Sequence, residues 1–97
     1  MPYDLTADTL HCLARVAPEP GLREKAEEAL TQPARRCRVG LGVHRLRLTA
    51  EQRERLLSGL RRRLAREGYE EGGAMRPFGH VLEGLIETFS RPSRMMA

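Results

Sequence analysis

Tryptophan is absent from this 97-residue chain, and two phenylalanines and two tyrosines are its only aromatic rings. With so few rings, stacking platforms for single-stranded nucleic acid are scarce. Cysteine occurs twice, at Cys12 and Cys37. With no basic-then-apolar leader in Met1-Pro2-Tyr3-Asp4, the pair reads as reduced thiols in a cytoplasmic protein, and no disulfide between them is expected. No stretch approaches the roughly 18 apolar residues of a membrane span. The basic helix at 50–67 has no Trp or Phe with which to lie on a bilayer surface.

Motifs for chemistry are equally sparse. His11, Cys12, Cys37 and His44 lack the paired spacing of a zinc site, and adjacent helical residues such as His11 and Cys12 point about 100° apart. Gly40-Leu41-Gly42 has no following Lys-Ser/Thr and so is no phosphate loop, and Gly72-Gly73 reads as a flexible connection. His80 lies near Glu83 and Glu87, but that helix face carries no nucleophile for a base to activate. Neither a catalytic centre nor a cofactor, metal or small-molecule substrate is expected.

What the chain does have is leucine, arginine and helical periodicity. Fourteen leucines supply most of a core, and 40% hydrophobic with 31% charged residues is ordinary for one small globular domain. That domain is expected over residues 1–90, with residues 91–97 fraying after Ser90 because Pro92 cannot continue a helix. Asp4 or Thr6 can cap a first helix over about 5–17, with Leu10, Leu13, Ala14 and Ala17 on one side. Pro18-Glu19-Pro20-Gly21 interrupts it. A second helix over about 22–32 places Leu22, Ala26, Ala29 and Leu30 together, and Pro33 ends it.

The second half is more regular. Thr49 and Gln52 form a capping box for a helix reaching Glu67, where Gly68 occupies the usual left-handed stop. Leu56, Leu57, Leu60 and Leu64 make its apolar stripe. Pro77 opens a last helix in which Phe78, Val81, Leu82, Leu85, Ile86 and Phe89 recur at the spacing of one buried face.

Between the two helical pairs the period drops to two. Val39, Leu41 and Val43 alternate with polar or glycine positions, then Leu46 and Leu48 continue one register over. A bulge near His44-Arg45 or a tight turn at Gly40-Leu41-Gly42 would account for the slip. The expected fold is therefore mainly α: four helices with an extended or β-hairpin segment near 37–48, and α+β as the alternative.

The net charge of +4 conceals a strong asymmetry. Residues 1–34 carry −3 and residues 68–97 carry −1, so residues 35–67 hold an excess of +8. Sixteen arginines against the single Lys25 suit a GC-rich coding sequence, so their number alone says little. Their placement says more. Arg55, Arg62 and Arg66 fall within about 40° on a helical wheel, opposite the leucine stripe. With Arg36, Arg38, Arg45 and Arg47 they form the expected partner-binding set. Part of this pattern has a structural reason, since Glu51 and Glu54 at the helix start and arginines at its end complement the helix dipole. The expected role is a non-catalytic interaction module or regulator that docks an acidic protein surface, as an inhibitor, immunity-type or adaptor protein would. Backbone-dominated nucleic-acid binding is the alternative, and self-association stays open.

Overall fold

A computed structural model describes residues 2–36 and 42–91, with residues 35 and 36 as backbone only. In chain order it contains β1 (Pro2–Leu5), α1 (Ala7–Val16), α2 (Pro20–Thr31), β2 (Arg35–Arg36), β3 (Gly42–Arg47), α3 (Ala50–Glu67) and α4 (Pro77–Ser90). This is a mainly α domain of four helices with a short β-hairpin, β2–β3. Val39, Leu41, Cys37 and the turn at Gly40 lie outside the described residues, as does the tail at 92–97.

The N-terminal segment departs from expectation. Residues 2–5, of which only Leu5 belongs to the expected helix, form strand β1, which pairs antiparallel with β3 from Pro2↔Arg47 to Leu5↔His44 and makes a sheet of order β1-β3-β2. Helix α1 starts two residues later than expected. The reason is visible in Pro2-Tyr3-Asp4-Leu5, which alternates exposed and buried. Four residues are too few for that alternation to stand out in sequence. Thr6, rather than Asp4, then caps α1 by accepting a bond from the Thr9 backbone at 3.3 Å. No bulge falls at His44-Arg45, because the β1–β3 register is unbroken there. Within β3 the alternation does not slip: Val43 lies on the same face as Arg45 and Arg47 and is only half-buried, while Leu46 faces the core.

Two proline and glycine readings also change. Pro20 does not break the chain but occupies the first turn of α2, where its missing N–H costs nothing. Gly68 caps α3 in the right-handed region, at φ −86°. Glycine is needed there for closeness, not handedness. A Cβ on Gly68 would sit 2.7 Å from the Leu64 carbonyl oxygen, and one on Gly79 would fall onto the Gly68 carbonyl oxygen. The same Gly68 oxygen accepts the Arg76 N–H at 2.8 Å, so the end of α3 and the start of α4 meet backbone to backbone. The connection between them is closed by a Tyr69↔Met75 bridge and a turn at Gly73, whose φ of 91° favours glycine.

The core is one cluster running through every helix and both longer strands. Leu10, Leu13, Leu22, Leu46, Leu48, Leu56, Leu57, Leu60, Leu82, Leu85 and Phe89 are all buried in it. Val81 is the exception among the periodic positions of α4, at 41% exposed. Tyr3 meets Phe89 edge-on with ring centroids 4.8 Å apart. The end of α4 is held from α3 as well: Arg53 donates from Nε to the Phe89 carbonyl at 2.7 Å and from Nη2 to the Ser90 carbonyl at 2.8 Å. A helix terminus leaves carbonyls without internal partners, and this guanidinium supplies two of the missing donors.

The two glycines of α4 give opposite expectations. Gly79→Ala should destabilise the fold by about 1–3 kcal/mol through overpacking against Gly68. Gly84→Ala, where an added Cβ meets nothing within 4 Å, should stabilise it by about 0.5–1 kcal/mol. Urea denaturation of both variants beside the parent checks the pair.

Candidate functional site

The placement of the central arginines follows from how leucine is buried around them. In β3, Leu46 is buried, so Arg45 and Arg47 on either side of it must face solvent. In α3, Leu56, Leu57 and Leu60 face inward, and Arg55, Arg62 and Arg66 stand exposed on the other side. Each of these five guanidiniums is therefore at the surface. Arg38 lies outside the described residues, and of Arg36 only the backbone is described, paired with Gly42.

The exposed five are not equivalent. Arg55 is held by two carboxylates, Glu19 at 3.0 Å and Glu51 at 2.6 Å. The second pair is the i, i+4 contact that the sequence contains. The first depends on the α1–α2 turn. A Cβ on Gly59 would collide with the Pro18 ring, so only glycine lets the turn approach α3 closely enough for Glu19 to reach across. Glu19 precedes α2 but makes no capping bond with its side chain. Arg45 is paired with Asp4 of the neighbouring strand at 3.2 Å, and Arg66 lies 3.9 Å from Glu67. Arg47 and Arg62 have no carboxylate partner among the described residues.

Two grooves gather these residues. Arg55 and Arg62 line one with Pro18, Glu19, Glu54 and Ser58, a cavity of about 420 Å³. Arg45 and Arg47 line the other, of about 510 Å³, between β3 and the C-terminal half of α2. Lys25 and Glu28 stand on its α2 wall, and Pro33 and Ala34 close one end. Lys25 donates from Nζ to the Arg47 carbonyl at 3.1 Å. Neither groove holds members of both arginine sets.

Lys25 has no place in the sequence reading. It sits among Glu24, Glu27 and Glu28, and no spacing rule brings a residue of α2 against one 22 positions later. Arg53 and Arg63 are likewise revealed only by contact, and both act inside the fold. Arg63 reaches the Val16 carbonyl at 3.5 Å and lies over the Phe78 ring at 5.0 Å. His80 is exposed, and among the described residues no three His, Cys, Asp or Glu side chains are grouped to hold a metal ion.

No protein family, curated protein or solved structure matches the chain, so its function is argued from these residues alone.

Stability separates the structural arginines from the free ones. Arg53→Ala should cost about 1.5–3 kcal/mol, because two helix-end carbonyls lose a charged donor. Arg55→Ala removes only half-exposed ion pairs and should cost no more than about 1 kcal/mol. Arg62→Ala should lie within about 0.5 kcal/mol of the parent. Chemical denaturation of the three variants reads the order directly.

Proposed function

We propose that the protein is a small non-catalytic binding module that engages an acidic segment of a partner protein through its central cationic residues. The observation that carries this reading is the mixed-sign surface around the free guanidiniums. Arg62 shares its groove with Glu19 and Glu54, and Arg47 lies in a groove that also contains Glu28. Phosphate backbones are uniformly anionic and favour continuous cationic tracks. An alternation of carboxylates and guanidiniums instead suits a flexible acidic segment, whose carboxylates can reach the guanidiniums and turn away from Glu19, Glu28 and Glu54, as the phosphates of a stiff duplex cannot.

The mechanism has two parts. The excess of positive charge in residues 35–67 attracts an acidic partner at long range. Free guanidiniums then close bidentate pairs with carboxylates, which fix the pose. Arg47 and Arg62 carry this role because neither has an ion pair among the described residues that would have to break first. Arg55 and Arg45 contribute less, since each would have to leave a carboxylate it already holds.

Labelled poly-glutamate and labelled duplex DNA, compared at about 50 mM salt, test the reading. The protein should bind poly-glutamate, and the Arg47→Glu/Arg62→Glu variant should bind it at least about tenfold more weakly. Duplex DNA should show no shift. A DNA complex that persists at this salt and weakens steeply at higher salt would replace the proposal with the nucleic-acid alternative.

A further inference from the structure

We infer that the groove between α2 and β3 accepts an extended acidic peptide as an added strand along the open edge of β3. This rests on the acidic-partner reading above and supplies its geometry.

The edge can be assigned from one residue. Pro2 has no N–H, so the Pro2↔Arg47 pair cannot exchange backbone bonds, and the ladder must run through Tyr3↔Leu46 and Leu5↔His44. Alternation then turns the N–H and C=O groups of Val43, Arg45 and Arg47 toward the opposite edge. Val43 meets β2 there, paired with Arg35. Beyond it β2 gives out, because Pro33 carries no donor and the preceding chain enters α2. The Arg47 carbonyl receives Lys25, and by the same alternation the Arg47 N–H and both polar groups of the Arg45 backbone face this edge, where no turn or loop backbone bond reaches them among the described residues. They open into the cavity of about 510 Å³.

An unpaired edge with room beside it is a site for strand addition, in which backbone bonds give affinity and alternate side chains give selectivity. The side chains of the groove state that selectivity. On an added strand, every second residue projects to the same face as the Arg45 and Arg47 guanidiniums, and carboxylates are favoured there. The residues between project toward the buried face, where Ala29 and Leu46 line the groove, so small apolar side chains are favoured there. The pattern is acidic–apolar–acidic over about three residues, the length of edge left open at a rise of about 3.3 Å each.

A labelled synthetic peptide of alternating glutamate and valine tests this on the intact protein. Two versions are N-methylated at alternate residues, one in each phase, so that each loses half its backbone donors and none of its charge. One phase should bind about tenfold more weakly than the parent peptide, and the other should bind nearly as well. Arg45→Pro, which removes the edge N–H, should weaken binding beyond the effect of Arg45→Ala. Equal binding of both methylated peptides would overturn strand addition, and if Arg47→Glu still abolished it, charge recognition alone would stand. No binding of the parent peptide would likewise overturn it, while poly-glutamate binding would keep the broader reading.

Discussion

Burial of leucine in β3 decides where the charge of this molecule can go. A strand has only two faces, so placing Leu46 in the core obliges Arg45 and Arg47 to face water. A slip of one residue would reverse both sets, placing two guanidiniums in an apolar core at a prohibitive desolvation cost. β1 enforces the register from one side through Tyr3 and Leu5, both buried in the same cluster. The same logic holds on α3, where Leu56, Leu57 and Leu60 turn inward and the outer ridge is left to arginine.

The remaining contacts tighten this frame at a few points. Gly68 and Gly79 let two helix ends touch, and Gly59 lets the α1–α2 turn lie on α3. Arg53 reaches from α3 to the last carbonyls of α4, while Tyr3 brings the first strand to the same helix end. Arginine thus has two uses in one small domain. Some guanidiniums are internal braces that finish helix termini, and others stand free on the surface. Sequence position does not separate them, since Arg62, with no carboxylate partner among the described residues, stands next to Arg63, which reaches the Val16 carbonyl.

The helices were legible because each carries its own signals. Thr49 and Gln52 form the capping box, and α3 and α4 span the residues that their periodicity marks. β1 was not legible, since Pro2-Tyr3-Asp4-Leu5 becomes a strand only through a partner 41 residues away, as the Asp4–Arg45 bond illustrates. Gly68 was read by the commonest use of glycine at a helix end, whereas packing against Gly79 decides its identity. The surface set was legible as exposed positions but not as neighbours. The division between Arg45 and Arg47 in one groove and Arg55 and Arg62 in another is a tertiary fact, as is the recruitment of Lys25 to the first.

Backbone amide exchange in the free protein tests the central claim, that β3 directs alternate residues to a bonded and an open edge. The account predicts slow exchange at His44 and Leu46, whose amides bond to β1, and fast exchange at Arg45 and Arg47, whose amides face the groove. Uniform protection along 44–47, or protection in the opposite phase, would contradict it.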